Sequence, residues 1–224
     1  MSKRMILPLL FGIVGTAILL YLGTWQVQRL IWKEGVLDEI TARISGDPVA
    51  VPATLDAEAD RYLPVTAEGV LTGEGLRVLA SVKQVGAVHR VIGVLDLGGR
   101  RVLADLGYTR VLDGEGDVPE GPVTLTGNLH WPDEVDGWTP EPDPKAGLWF
   151  ARDVPAMAAA LGTEPVLIVA RETSLTGAAP TPLPVGTEGI PNDHLEYAIT
   201  WFSLAVVWVG MTLFLLWRIR RRTV

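Results

Sequence analysis

Three histidines and no cysteine bound the chemistry open to this 224-residue chain. Without thiolates it has no disulfide framework and no sulfur-ligated metal or redox centre. Met1, Met5, Met157 and Met211 are too scattered for a thioether copper site. Of the histidines, His194 has the most suggestive surroundings. Helical spacing brings Tyr197, Ala198, Trp201, Ala205 and Trp208 onto its face, at i+3, i+4, i+7, i+11 and i+14. An imidazole heading a stripe of aromatic and small residues suits an axial ligand for the iron of a flat macrocycle. The same pattern also suits an interfacial belt, because Tyr and Trp collect at membrane surfaces and a first-turn His contacts headgroups. Both readings stand at this point.

The element that carries His194 is a hydrophobic helix. Ala198 to Trp217 holds no charged side chain, and twenty helical residues at about 1.5 Å each span roughly the 30 Å of a bilayer core. Asn192 or Asp193 can cap its start, with Glu196 placed as in a capping box. Arg218, Arg220, Arg221 and Arg222 close its far end and predict a cytoplasmic C-terminus. Met5 to Trp25 forms a second uncharged run behind Lys3 and Arg4. It is long and lacks an A-x-A-like site, so it reads as an uncleaved signal anchor. No Arg- and Ser-rich presequence precedes it, which favours a bacterial inner membrane over a mitochondrial one. Gly12 and Gly15 would allow close helix packing. Past the bilayer, Gln26 to Ile44 continues as an amphipathic extension, with Leu22, Trp25, Arg29, Trp32, Val36 and Ile40 on one face.

Between the spans lies one domain of roughly 150 residues, long enough to bury its own core. From Leu30 to Ile190 there are 12 Lys plus Arg against 24 Asp plus Glu, while the chain ends are basic. That asymmetry predicts an outward-facing domain with both termini inside, and it disfavours nucleic-acid binding. Tyr62–Val70, Arg77–Lys83, His89–Leu97, Arg101–Arg110, Val123–His130 and Pro165–Ala170 read as strands, with Gly98-Gly99 as a two-residue hairpin turn. A short helix is expected between Asp153, an N-cap, and Gly162, with Pro155 in its first turn. Gly177 to Gly189, with prolines at 180, 182 and 184, reads as an extended tether. The expected fold class is an α+β membrane protein: two transmembrane helices, 5–25 and 194–217, flank a mainly antiparallel β domain within 26–190 that carries one or two short helices.

Catalytic chemistry is not expected. His89, beside Arg90, and His130, ahead of Trp131-Pro132, read as ordinary surface or edge residues. The carboxylates from Asp133 to Asp143 lack the spacing of a calcium loop. No H-x-x-H, H-E-x-x-H, P-loop or G-x-S-x-G pattern occurs, and no nucleophile, base and orienting group can be assembled.

Two blocks carry a family resemblance. Asn192-Asp193-His194-Leu195-Glu196-Tyr197-Ala198-Ile199-Thr200-Trp201-Phe202 resembles the C-terminal signature of the surfeit locus protein 1 family of cytochrome oxidase assembly factors. Leu22-Gly23-Thr24-Trp25-Gln26-Val27-Gln28-Arg29, followed by Trp32-Lys33, resembles the family's pattern at the end of its first transmembrane helix. The resemblance implies a non-enzymatic factor that holds haem a transiently and assists its insertion into subunit I of a haem-copper oxidase, with haem a synthase as a further candidate partner. It implies His194 as the ligand to the haem iron, with Trp201, Tyr197, Trp25 and Arg29 as accompanying cofactor-binding residues. A guanidinium at the depth of His194 would suit a haem propionate. Where the family commonly shows Asn-Arg-Gly-Trp, this chain reads Asp105-Leu106-Gly107-Tyr108, without the amide and the cation. Two further classes of function remain open: a scaffold that stabilises an oxidase intermediate without haem, and an unrelated anchored envelope domain.

Overall fold

The computed structural model describes residues 3–114, 116–177 and 179–221. Arg222, one of the four arginines expected to close the second span, lies outside the described residues, and only the backbone of Lys3 and Arg4 is described. The chain divides into two compact units, Met1–Glu39 with Thr187–Val224, and Ile40–Gly186.

The first unit is built on two helices. α1 runs Lys3–Ile44 and takes the expected amphipathic extension into one continuous helix, with Pro8 inside its first turns. The last helix, His194–Arg221, begins at the residue singled out above, and the Asp193 carbonyl accepts its first backbone bond from Tyr197 N–H at 3.2 Å. Both helices are long and apolar enough to cross a membrane, as expected of a two-pass membrane protein. They pack antiparallel along a seam spaced at three and four residues. A side chain at Gly12 would meet Thr212, one at Gly15 the Trp208 indole, and one at Gly23 the Phe202 ring. Between lipid-facing helices, backbone approach of this kind supplies the packing that apolar burial supplies in water. Trp208 Nε1 adds a hydrogen bond to the Gly12 carbonyl at 3.1 Å.

The second unit is a sheet that closes on itself. Its strands are β1 (Val49–Ala50), β2 (Pro64–Val82), β3 (Gly86–Asp96), β4 (Arg101–Arg110), β5 (Glu120–Leu129), β6 (Leu148–Trp149) and β7 (Leu167–Thr173), joined in the order β1-β2-β3-β4-β7-β5. β5 also pairs with β2, so the path has no free edge at that point. The two runs expected at 62–70 and 77–83 are a single long strand, β2, irregular between Leu71 and Gly75. Its first half pairs with β5 and its second with β3.

The expectation of a mainly antiparallel domain is corrected: the sheet is mixed. β7 lies parallel to β4 and antiparallel to β5, while the short β1 and β6 lie parallel to β2. The cause is the crossover after β5, where α2 (Val154–Leu161) turns the chain so that β7 enters between two strands already formed. α2 is capped as the sequence predicts. Asp153 accepts from Ala156 N–H at 3.1 Å, and Gly162 ends the helix with φ 64°.

Alternation along the strands fills two cores. Val102, Ala104, Leu106 and Ile168 face a cluster with Val65, Leu95 and Leu125. Leu103, Leu167 and Val169 face the other, beneath Val154 and Met157 of α2. Burial on both faces accounts for the short apolar runs Val102–Ala104 in β4 and Leu167–Ala170 in β7. The Gly98-Gly99 turn forms as expected, both residues at positive φ, with Asp96 Oδ1 accepting from both amides.

Candidate functional site

The site grows from the seam of the helix pair. The second helix, here α3, places His194, Ala198, Trp201, Ala205 and Trp208 on one face, and that face turns toward α1. Ala198 and Ala205 are 2 % and 4 % exposed, so the alanine stripe is consumed in packing and is not open as a bed for a planar group. Trp201 and Trp208 are half-buried. Opposite the imidazole stands a residue that sequence reasoning missed. His194 Nδ1 lies 2.8 Å from Gln26 Oε1, and Gln26 is buried, at 9 % exposure. An amide oxygen has only lone pairs to offer, so Nδ1 carries the proton and donates. Nε2 is then the nitrogen with the free lone pair, which is the form of imidazole that ligates a metal.

The signal for Gln26 was present in the chain. It falls on the spacing of Gly12, Leu19 and Gly23, the face of α1 that meets α3. The other expected residues flank the seam. Trp25 and Tyr197 are exposed, and the Arg29 guanidinium sits 4.3 Å from the centre of the Trp32 ring. The structure thus brings His194 and Trp201 together on the seam face and leaves Trp25, Arg29 and Tyr197 on exposed faces of the two helices. Asn192, a candidate cap, keeps a buried Oδ1 without a hydrogen-bond partner. Among the described residues no three His, Cys, Asp or Glu side chains gather to hold a metal ion. A metal at His194 would have to bring its other ligands with it, and a macrocycle does so.

The β domain holds the other polar concentration. Asp105, at the position of the family's Asn, is fully buried. Its Oδ2 accepts from Arg90 Nε at 2.8 Å and Arg152 Nη1 at 3.4 Å. Arg152 also pairs with Glu134, and Arg90 Nη2 donates to the Leu183 carbonyl at 3.2 Å. Burial would raise the Glu134 carboxyl, and the hydrogen bonds and charge of Arg152 outweigh it, holding Glu134 below the usual carboxylate range. Burial first, then the cations Arg152 and Arg61, pushes His130 down to about 4, with its ring stacked on Tyr62 at 5.4 Å. The stretch expected to be a tether is partly docked. Thr181 exchanges backbone bonds with Tyr108 at 2.8 and 2.9 Å, close enough that a side chain at Gly107 would strike the Thr181 carbonyl. These groups neutralise one another and leave no activated nucleophile, so they read as the polar interior of the domain.

With both concentrations located, the chain can be set beside known proteins. The model of the SURF1 family matches residues 13–206, a span that includes Gln26, His194 and the whole β domain. The chain belongs to the SURF1 family. Surfeit locus protein 1 of Rattus norvegicus is 29% identical over 210 residues, covering 82% of this chain and 67% of that protein. The Homo sapiens protein of the same name is 29% identical over 212 residues, covering 82% and 69%. A SURF1-like protein of Monosiga brevicollis is 27% identical over 217 residues, covering 87% and 82%. SURF1 family members are known as cytochrome oxidase assembly factors.

Proposed function

We propose that this SURF1 family member is a two-pass protein of a bacterial inner membrane that binds haem a through His194 and assists its insertion into subunit I of a haem-copper oxidase. The observation that supports this reading above others is the His194–Gln26 hydrogen bond, which leaves Nε2 with its lone pair at the head of the helix pair. Haem a would supply an iron centre already ligated by its macrocycle, and His194 would hold it through Nε2. Trp201 is half-buried beneath the imidazole, while Tyr197 and Trp25 offer exposed aromatic surface beside the seam. Arg29 offers a planar cation for a propionate, at the cost of its contact with Trp32. The chain binds and releases and catalyses no bond change. The acidic β domain lies in the periplasm, both termini are cytoplasmic, and the partner is subunit I, with haem a synthase as a further candidate.

The test is an absorption spectrum of the purified protein after co-expression with haem a biosynthesis enzymes, for wild type and His194→Ala. Haem a bands in the wild type that vanish in a folded, membrane-inserted variant are the expected result. A colourless wild type from membranes that contain haem a would reject haem binding in favour of a scaffold acting through protein contacts. A coloured variant would move the ligand to His89 or His130.

A further inference from the structure

The geometry points to Gln26 as the positioning residue of this site: its carbonyl oxygen fixes the His194 tautomer and holds the ring so that Nε2 is the ligating nitrogen. The inference rests on the haem reading above and adds the group that prepares the ligand. An imidazole in a flexible chain divides its proton between the two nitrogens, and ligation through Nε2 requires it to sit on Nδ1. Gln26 Oε1, 2.8 Å from Nδ1, rewards that tautomer alone. Three features keep the amide in place. Gln26 is buried, at 9 % exposure. It stands one turn beyond Gly23, where α3 comes so close that a side chain would lie 2.7 Å from the Phe202 ring. His194, in turn, is the first residue of α3, fixed by the backbone bond from Tyr197 to Asp193. A hydrogen bond to an amide this buried is stronger than its counterpart in water. Metal-ligating histidines commonly donate their second N–H to an acceptor of this kind, which sets ring orientation and raises basicity at the metal.

A contact that merely glued the helices would make different predictions, so the test reads the imidazole itself. The full chain, labelled with 15N-histidine and held in detergent without haem, is studied by NMR as wild type, Gln26→Leu and Gln26→Asn, with His194 assigned by comparison with His194→Ala. Circular dichroism confirms the helices in each, and Gln26→Asn, which keeps the amide but shortens its reach, serves if Gln26→Leu does not fold. Hemin is then titrated into each. The expected wild type has its proton on Nδ1. Both variants shift toward the Nε2–H form and bind hemin about 10- to 100-fold more weakly, the usual cost of losing such a partner. Gln26→Glu keeps the tautomer, keeps hemin, and moves its reduction midpoint to a lower potential than wild type, because a carboxylate acceptor makes the ring a stronger donor. An Nε2–H wild type, or variants with unchanged tautomer and hemin affinity, would overturn the role of Gln26 while the haem reading stood. Hemin that fails to bind a wild type with the expected tautomer would overturn the haem reading instead, and reduce Gln26 to a helix-pair contact.

Discussion

In the helix pair, Gly12 and Gly23 face the side chains of Thr212 and Phe202, whereas in the closed sheet Gly127 faces the backbone carbonyl of Val169. The polar groups divide in the same way. The seam carries a few separate hydrogen bonds, Gln26 with His194 and Trp208 with Gly12. The β domain ties Asp105, Arg90, Arg152 and Glu134 into one network. Helices in lipid gain little from burying apolar surface, so close approach holds them and an isolated polar pair is left available for function. The sheet, closed around one apolar core and covered by α2 over a second, uses its buried charges to neutralise one another. Substitutions that look alike should therefore differ in kind between the two units.

The largest effect is expected from Asp105→Ala. It removes the carboxylate between Arg90 and Arg152 and leaves buried positive charge, which costs about 3–5 kcal/mol when one partner of a buried pair is lost. A urea titration of the detergent-solubilised full chain, followed by the fluorescence of its tryptophans, should show an early β-domain transition while the helical circular dichroism of the spans persists. Loss of both signals together would join the two regions into one cooperative unit and break the comparison.

Acid should act on the same region. His130 stays unprotonated in the folded domain down to about 4, while in the unfolded chain it takes a proton near its usual 6.5. Between those values the unfolded chain binds the extra proton, so stability is full above about pH 6.5 and falls as the pH drops toward 4, by up to about 3 kcal/mol. Glu134 acts in the same direction at lower pH: its contribution is present above its ordinary range and is lost as the pH falls through its lowered value. His130→Phe, which preserves the stacking on Tyr62, should flatten the urea midpoint between pH 6.5 and 4. An undiminished slope in that variant would assign the acid sensitivity elsewhere.

Local sequence carried much of this architecture. The uncharged runs announced both spans, Asp153 and Gly162 marked the ends of α2, and Gly98-Gly99 marked the β3–β4 turn. Each of these signals is complete within a few residues. What escaped depends on distant partners. β2 reads as two strands because its glycines resemble a turn, and only pairing with β3 on one half and β5 on the other shows one continuous strand. The parallel entry of β7 needs the crossover through α2, which no alternation pattern announces. At the site, His194 was legible as the ionisable head of an apolar helix, yet its partner lies 168 residues away and is an uncharged amide. Trp25 and Arg29 drew attention by residue type, and the structure puts the seam one position on, at Gln26.

The smallest effects sharpen the contrast between the glycines. Gly127→Ala sets a methyl 2.2 Å from the Val169 carbonyl oxygen, and a neighbouring strand's backbone cannot yield without breaking its ladder. About 2–3 kcal/mol of β-domain stability should be lost, in the range of overpacked cores. Trimming side chains nearby should restore none of it. Gly12→Ala sets its methyl 2.2 Å from Thr212 Cγ2, a side-chain atom. About 1–2 kcal/mol is expected in an SDS titration of the helix pair read by Trp208 fluorescence. Here the obstacle is removable. Thr212→Ala deletes the struck methyl together with a hydroxyl that donates to the Trp208 carbonyl of its own helix, at 2.8 Å. The double variant should therefore recover most of the loss, giving a coupling energy of about 1 kcal/mol in a double-mutant cycle. A cycle with no coupling would mean that Thr212 is not what limits the approach at Gly12, and the seam would then owe its spacing to the Trp208 indole against Gly15.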